Sequence, residues 1–207
     1  MKNFLTRTTD ICHYICEKQL AELSEIKARP VGLDGTCGRG NDTLWLAGFC
    51  RKVYGFDVQE EALADTRKLL EDSDVAVHTL KCKTELAEDR EEGVLLIQDG
   101  HENILTYVDE GIDIALFNLG YLPGGSKEIA TRKENTITAL NAALQILNPG
   151  GIIGVTVYWG HDSGKEERQA VTQWAEELPK SVYHCLRMDM VNQSNSPPEN
   201  FFITRKK

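Results

Sequence analysis

The chain has 207 residues, of which 41% are hydrophobic and 27% are charged, a balance typical of one folded globular domain. Its formal net charge of −9 argues against a protein that coats nucleic acid non-specifically. No apolar run reaches the roughly 18 residues that a membrane span needs, and the N-terminus lacks the apolar core of a secretory signal, so we expect a cytoplasmic protein.

The negative charge is unevenly distributed along the chain. Residues 60–92 carry eleven acidic and five basic residues, whereas residues 120–133 carry three basic residues and one acidic residue. A polyanion is therefore repelled from the first region and tolerated at the second. The acidity weakens a nucleic-acid interpretation without excluding it.

Seven apolar runs alternate with amphipathic segments along the chain. Helical spacing predicts an N-terminal helix over residues 8–27, which Pro30 ends. The predicted strands are 31–34, 52–57, 94–97, 112–117, 152–158, 181–188 and 200–204, and the later predicted helices are 42–49, 59–71, 135–147 and 165–177. Residues 73–93 are ambiguous between an extra helix and a surface insertion. The continuous apolar character of the strands predicts an α/β fold with a doubly wound, seven-stranded, mostly parallel sheet in a single domain spanning residues 1–207.

The six cysteines are scattered and lack C-x-x-C spacing. Cys12 and Cys16 flank His13 at helical spacing, which suits either a metal site or two buried thiols. Because zinc normally needs four convergent ligands, we predict reduced thiols and no metal.

A glycine-rich turn follows the first predicted strand. Residues 34–40 read DGTCGRG, which is close to the dinucleotide-binding G-x-G-x-x-G pattern without matching it. Glycines at such a turn let backbone N–H groups approach a ligand. The cofactor contacts predicted from this turn and the following helix are Asp34, Gly38, Arg39, Gly40, Asn41 and Asp42.

A carboxylate ends the second predicted strand. Asp57 lies 17 residues after Gly40, where it can accept both ribose hydroxyls of an adenosine. An isolated Asp at a strand end is more often a helix N-cap, but the upstream glycine turn favours the ribose role. The other predicted cofactor contacts are Gln59 and, at the end of the third predicted strand, Gly100 and His101.

Both NAD and S-adenosylmethionine use this arrangement, and three features favour the second. Asp34 directly precedes the glycines and suits an ammonium or a bound water near a methionine moiety. The polar residues 98–101 suit an adenine edge. The fourth predicted strand ends in Asn118 and a Gly- and Pro-rich segment, which is not suited to holding a nicotinamide.

The segment NLGYLPGGSK at residues 118–127 is the most informative stretch of the chain. The Asn118 amide offers one acceptor and two donors, enough to hold a planar or amine-bearing substrate by its edge. The predicted substrate contacts are Tyr121, Pro123, Gly124, Lys127, Tyr158, His161 and Gln193. Four of them have an ordinary alternative: loop packing for Tyr121, a solvated charge for Lys127, a structural histidine for His161 and turn chemistry for Gln193.

Six motifs resemble the YtqB/MnmM group of class I S-adenosylmethionine-dependent methyltransferases. The motifs are DGTCGRGNDT at 34–43, YGFDVQ at 54–59, GHEN at 100–103, NLGYLPGGSK at 118–127, VYWGH at 157–161 and VNQSNSPP at 191–198. The resemblance implies a Rossmann-like fold and N-methylation of 5-aminomethyl-2-thiouridine at the tRNA wobble position, giving the 5-methylaminomethyl form. It implies tRNA, through its anticodon stem-loop, as the partner, and the group's small domain is compatible with a homodimer.

By the same resemblance, Asn118, Leu119 and Tyr121 are the predicted catalytic residues. The Asn118 side-chain oxygen and the Leu119 backbone carbonyl would accept hydrogen bonds from the substrate amine, while Tyr121 would stack on the uracil ring. Two alternatives stay open: methylation of another RNA such as rRNA or of a small amine, and a catalytically silent module that binds S-adenosylmethionine or NAD.

Overall fold

The computed structural model describes residues 4–24, 29–80, 92–120, 131–160 and 162–207. The strands in these ranges are β1 (Val31–Asp34), β2 (Lys52–Phe56), β3 (Val77–Leu80), β4 (Gly93–Ile97), β5 (Ile112–Leu119), β6 (Leu147–Val157), β7 (Tyr183–Met188) and β8 (Glu199–Arg205). The α-helices are α1 (Thr8–Ser24), α2 (Asn41–Ala47), α3 (Glu60–Glu71), α4 (Ile104–Tyr107), α5 (Lys133–Ile146) and α6 (Asp162–Glu177), with short 3₁₀ turns at Phe4–Thr6 and His101–Asn103.

The strands form a single sheet in the order β3-β4-β2-β1-β5-β6-β8-β7. All neighbouring pairs from β3 to β6 are parallel, and β8 runs antiparallel to both β6 and β7. The α/β class and the mostly parallel sheet are confirmed. The predicted count of seven strands is wrong, because β3 arises inside the segment whose secondary structure the sequence left ambiguous.

The chain order reverses at β1, which lies between β2 and β5. In a doubly wound sheet, ligands bind outside the carboxyl ends of the strands at such a reversal. The carboxyl ends of β1 and β5 are in register, with Asp34 beside Leu116. We call the space beyond them the β1/β5 cleft.

Apolar residues cover both faces of the sheet, which explains the continuous apolar character of its strands. One core cluster contains Phe56 and Phe117 and packs under α4, α5 and α6. The other contains Cys16, Leu46 and Leu70 and packs under α1, α2 and α3. The cleft is therefore built on strands whose positions are fixed from both sides.

The largest error in the predicted elements lies between α5 and β6. The predicted helix 135–147 and the predicted strand 152–158 leave the segment NPGG at 148–151 between them, yet it lies within β6, which begins at Leu147. The pairing of β6 with β5 shifts register between Ile112 and Ile114, which accommodates the Pro and Gly residues as an irregularity. The other predicted strands and helices are present, with ends displaced by a few residues.

None of the helices within the described ranges combines the length and the apolar character that crossing a membrane would require. The five cysteines in those ranges, Cys12, Cys16, Cys37, Cys50 and Cys185, are free thiols. The same ranges contain no group of three or more His, Cys, Asp or Glu side chains arranged to hold a metal ion.

Candidate active site

The glycine turn after β1 is tied to both neighbouring strands. The Gly35 N–H donates to the Leu116 carbonyl of β5 at 2.9 Å, and the Cys37 N–H donates to the Phe56 carbonyl of β2 at 2.9 Å. A Cβ atom at Gly35 would lie 2.2 Å from the Phe117 ring, so the close approach of turn and β5 requires glycine there. The turn is thereby held at the floor of the β1/β5 cleft.

Gly40 ends this turn and caps α2 in a left-handed conformation with φ of 79°. A Cβ atom at this position would also lie 2.8 Å from the Thr66 side chain of α3. Both constraints select glycine, so Gly40 is explained by backbone conformation and helix packing. The neighbouring Arg39 and Asn41, both predicted cofactor contacts, are exposed at the start of α2.

The carboxylate of Asp57 is held at the tip of β2 by backbone donors. Its two oxygens accept from the Gly38 N–H and the Gln59 N–H, each at 2.9 Å. The N-cap of α3 is Gln59, without a side-chain capping bond, so Asp57 is not the N-cap of that helix. Burial raises the pKa of Asp57, against the two backbone hydrogen bonds, which lower it. The carboxylate is therefore directed into the glycine turn.

Asp34 lies below the turn and is completely buried. Its oxygens accept from the Thr43 hydroxyl at 2.6 Å and from the Thr36 N–H at 3.1 Å. Burial and the negative charge of Asp42 raise its pKa from 3.8 to about 7. Both oxygens are thus engaged by the protein, and the contact with an ammonium or a water that the sequence suggested stays a prediction.

The buried Asp34 predicts a pH-dependent stability. Because its pKa is higher in the folded than in the unfolded chain, the folded state binds more protons between about pH 4 and pH 7. The contribution of Asp34 to the free energy of unfolding should therefore fall as the pH rises through this window, by an amount on the order of a few kcal/mol. Denaturant unfolding of wild type and Asp34→Asn at several pH values should show a shallower decline in the variant.

The control for this measurement is Asp65→Asn, which changes an exposed carboxyl on α3. Its pH profile should parallel that of the wild type, because an exposed surface charge contributes little to the free energy of unfolding. Identical profiles for wild type and Asp34→Asn would contradict the prediction.

The tip of β4 is joined to the glycine turn through His101. The Nδ1 atom of His101 lies 3.1 Å from the Gly35 carbonyl, and its ring meets the Phe117 ring edge-on at 6.0 Å. Burial lowers the pKa of His101, so the neutral imidazole is favoured. The residue before it, Gly100, is buried, and its N–H donates to the Asp99 carboxylate at 2.7 Å.

Asn118 lies at the carboxyl end of β5, facing the turn. Its backbone N–H donates to the Thr36 hydroxyl at 2.7 Å, and its side-chain Nδ2 donates to Asp42. The other oxygen of Asp42 lies 2.8 Å from the Nε2 atom of His13 on α1. The side-chain oxygen of Asn118 is buried and has no hydrogen-bond partner among the described residues. A buried acceptor without a donor is costly unless a ligand supplies one.

Leu119 follows Asn118 as the last residue of β5, and Tyr158 directly follows the end of the neighbouring strand β6. The Leu119 carbonyl accepts from the Tyr158 N–H at 3.0 Å, which uses one of its two lone pairs. Tyr158 is 38% exposed and packs against the backbone of Gly120. Burial and the charge of Asp42 raise the pKa of the Tyr158 hydroxyl, so it stays protonated.

Gly120 and Thr131, the residues on either side of segment 121–130, bond to each other, and a buried carboxylate anchors Thr131. The Thr131 N–H donates to the Gly120 carbonyl at 3.0 Å. In return, the Gly120 N–H donates to the Thr131 hydroxyl at 2.9 Å. Glu167 on α6, 1% exposed, accepts from the hydroxyls of Thr131 at 2.8 Å and Thr136 at 2.6 Å.

Five predicted site residues lie outside the described residues, namely Tyr121, Pro123, Gly124, Lys127 and His161.

The hydrogen bonds of the remaining predicted contact, Gln193, are to residues near it in the chain. It is exposed in the connection between β7 and β8, where its Nε2 atom lies 3.4 Å from the Asn192 side chain. The connection itself is joined to the end of β6, because the Trp159 indole N–H donates to the Pro197 carbonyl at 2.8 Å. Arg168 of α6 stacks on the Trp159 ring and binds Glu199 at 2.6 Å.

Sequence reasoning missed three residues that build the cleft: His13, Thr36 and Glu167. Thr36 has a usable signal, since it lies inside the glycine turn, between the predicted cofactor contacts Asp34 and Gly38. His13 was considered only as a metal ligand with the two cysteines. Glu167 resembles any acidic residue of an amphipathic helix until its burial is known.

Comparison with known proteins shows similarity along most of the chain. Residues 53–204 match the family model described as "Putative rRNA methylase". The chain is 32% identical over 210 residues to the Arabidopsis thaliana protein named tRNA (mnm(5)s(2)U34)-methyltransferase, chloroplastic. This match covers 97% of the chain and 70% of the plant protein.

Two solved structures share the fold at comparable identity. The "putative rRNA-methylase" of Clostridium thermocellum is 34% identical with a TM-score of 0.78, covering 99% of this chain and 98% of that one. A "putative methyltransferase" of Streptococcus mutans, solved in complex with S-adenosylhomocysteine, is 36% identical with a TM-score of 0.75. That likeness covers 91% of this chain and 96% of the other.

Proposed function

The chain belongs to the "Putative rRNA methylase" family, and from this premise we propose that it methylates the amine of 5-aminomethyl-2-thiouridine at the wobble position of tRNA. It is an S-adenosylmethionine-dependent methyltransferase. The observation that carries the choice of an amine acceptor is the buried Asn118 oxygen without a partner among the described residues. The choice of tRNA follows the name of the plant relative.

The residues of the β1/β5 cleft fit the cofactor. Asp57 is fixed by two backbone N–H groups, and each of its oxygens keeps acceptor capacity for a ribose hydroxyl. We assign the contacts with S-adenosylmethionine to the ten residues predicted for it, Asp34, Gly38, Arg39, Gly40, Asn41, Asp42, Asp57, Gln59, Gly100 and His101. When bound, the cofactor would supply an electrophilic methyl group on its sulfonium sulfur, and S-adenosylhomocysteine would be the leaving group as the neutral amine takes the methyl.

The protein's part in this reaction is to orient the amine and exclude water. The Asn118 oxygen would accept one amine N–H, and the second lone pair of the Leu119 carbonyl would accept another, which leaves the nitrogen lone pair free for methyl transfer. Both acceptors also stabilise the positive charge that develops on nitrogen. We assign no general base, because the secondary ammonium product loses its proton to water after transfer.

The remaining proposed substrate contacts come mainly from segment 121–130. Tyr121 stacks on the uracil ring, Pro123 and Gly124 shape the contact, and Lys127 meets a phosphate of the anticodon stem-loop. Tyr158, His161 and Gln193 are proposed as further substrate contacts. A cytoplasmic location and a homodimer stay predictions, and the plant relative is named as chloroplastic.

Transfer of a labelled methyl group tests this function directly. Purified protein with methyl-labelled S-adenosylmethionine should label tRNA that carries 5-aminomethyl-2-thiouridine, and nucleoside analysis should locate the label in 5-methylaminomethyl-2-thiouridine. The matched control is the same tRNA without the aminomethyl group, which should stay unlabelled. Label in rRNA or in a free alkyl amine, with none in the aminomethyl tRNA, would overturn the proposal in favour of the family's other named substrate class or of a small amine.

Replacing Glu167 should impair tRNA use without affecting the cofactor. In Glu167→Ala the hydroxyls of Thr131 and Thr136 lose their shared acceptor, so Thr131, which flanks segment 121–130, loses its anchor. We expect KM for tRNA to rise by about tenfold, with a cost in unfolding free energy of about 1–3 kcal/mol. Steady-state kinetics and calorimetric titration with S-adenosylmethionine would measure both effects.

The control for Glu167 is its neighbour Glu166, whose exposed side chain pairs with Lys133 at 2.9 Å. Exposed ion pairs contribute little, so Glu166→Ala should resemble the wild type. Equal KM values for both variants would show that the buried carboxylate does not act on the substrate segment.

A further inference from the structure

The side-chain amide of Asn118 is hydrogen-bonded through its nitrogen but not, within the described residues, through its oxygen. Its Nδ2 donates to Asp42, while its Oδ1 is buried without a partner among the described residues. The two ends of a primary amide have nearly the same shape but opposite hydrogen-bonding character. Rotation of the amide by half a turn would therefore fit the same space and present donors where the acceptor now lies.

Asp42 decides which of these two orientations the amide adopts. An ionised carboxylate only accepts hydrogen bonds, so it binds the amide nitrogen and repels the amide oxygen. Asp42 belongs to the first turn of α2, whose N-terminal end favours negative charge. The wrong orientation of Asn118 would place two oxygens in contact.

Asp42 is itself oriented by a second side chain. The Nε2 atom of His13 lies 2.8 Å from the Asp42 oxygen that does not face Asn118. The His13 ring stacks on Trp45 of α2, with centroids 4.2 Å apart and planes inclined by 6°. α1 and α2 thus converge on one carboxylate and leave it little freedom to turn away from the amide.

The orientation of the amide matters because the acceptor amine has a single lone pair. With the oxygen facing it, the amine donates an N–H and keeps the lone pair free for the methyl carbon. With the NH₂ group facing it, the amide would donate to that lone pair and occupy the electrons that must form the new C–N bond. One orientation therefore assists the transfer and the other blocks it.

We infer that Asp42 and His13 are positioning residues that fix the Asn118 amide with its oxygen toward the methyl-accepting amine. This inference rests on the proposed function, in which the nucleophile is an amine. Asp42, which is expected to contact the cofactor, thereby has a second role, which it exerts through Asn118. His13, on the N-terminal helix, has a part in the reaction that does not involve a metal.

The kinetic test compares turnover with cofactor affinity in matched variants. Asp42→Ala should lower kcat at saturating S-adenosylmethionine by about 10- to 100-fold, in addition to any loss of cofactor affinity that follows from its assigned cofactor contact. Asp42→Asn should recover most of the turnover, because its amide oxygen can accept from Asn118 and its NH₂ group can donate to a neutral His13. His13→Ala should lower kcat by a few-fold, and Asp65→Ala, which removes an exposed charge from α3, should match the wild type.

A second readout does not depend on turnover. In protein labelled with ¹⁵N-asparagine, the Asn118 side-chain signals can be identified by their loss in Asn118→Ala. Hydrogen bonding to a carboxylate should move one of these amide protons downfield, and the shift should disappear in Asp42→Ala but persist in Asp65→Ala.

The outcomes separate the inference from the function on which it rests. Wild-type protein that fails to methylate the aminomethyl tRNA would refute the proposed function, and the amide signals would then decide alone whether Asp42 fixes Asn118. An active wild type with unchanged turnover in Asp42→Ala would overturn the inference. A fall in cofactor affinity that accounts for the whole fall in turnover, without recovery in Asp42→Asn, would also overturn it.

Discussion

Asn118→Ala should lower kcat for methyl transfer by about 10²- to 10³-fold while cofactor binding persists. The substitution removes the buried oxygen that orients the amine and stabilises its developing charge. It leaves the Asn118 backbone bond to Thr36 in place, so the end of β5 should keep its position. Single-turnover kinetics with saturating S-adenosylmethionine, alongside calorimetric titration of the cofactor, would measure the two quantities separately.

Asn118→Asp provides an informative partner for the alanine variant. It keeps an oxygen and the size of the side chain, but replaces the donor that faces Asp42 with a second acceptor. Two adjacent carboxylates repel, which turns the side chain away from the observed position. We therefore expect Asn118→Asp to be nearly as inactive as Asn118→Ala. Turnover of either variant within threefold of wild type would remove Asn118 from the reaction.

The adjacency of the β1 and β5 ends could be predicted from local sequence. Both strands are continuous apolar runs, and each is followed at once by residues unsuited to a strand interior, the glycine turn after Asp34 and the NLG segment at Asn118. Parallel strands buried on both faces give this pattern, and the right-handed crossovers between them leave few topologies. The fold class and the location of the cleft follow from these two signals together.

The eighth strand could not be predicted in the same way. β3 is four residues long, lies at the edge of the sheet, and only its end residues, Val77 and Leu80, are buried. Four residues give too short a sample for a period of two, and the flanking acidic segment obscures the apolar signal. An edge strand of this kind is identified only by its hydrogen-bonded pairing with the neighbouring strand β4 in the folded structure.

The contacts that organise the cleft were unpredictable for a different reason. His13 and Asp42 are 29 residues apart, and Asp42 and Asn118 are 76 apart. Local periodicity assigns each residue to an element and a face, but it does not specify which polar side chains from distant elements meet. Glu167 illustrates the same limit, since only tertiary packing buries it against Thr131 and Thr136.

Asp57→Ala should weaken binding of S-adenosylmethionine by about 10- to 100-fold with a much smaller effect on kcat at saturating cofactor. The carboxylate is the acceptor proposed for the ribose hydroxyls, and hydrogen bonds to a charged group contribute about 1.5–3 kcal/mol each. It also binds the Gly38 and Gln59 N–H groups, so its loss frees the glycine turn from the start of α3. Calorimetric titration with the cofactor and with S-adenosylhomocysteine should give the same loss for both, because they share the ribose.

Asp57→Asn distinguishes the charge of this residue from its shape. An asparagine has one acceptor oxygen, so either Gly38 or Gln59 would face an NH₂ group instead of an acceptor. The variant should therefore bind the cofactor more weakly than wild type and also unfold at a lower denaturant concentration, whereas Asp65→Asn should change neither property. Unchanged cofactor affinity in both Asp57 variants, despite an altered turn, would assign Asp57 to the structure of the glycine turn and place the ribose elsewhere in the cleft.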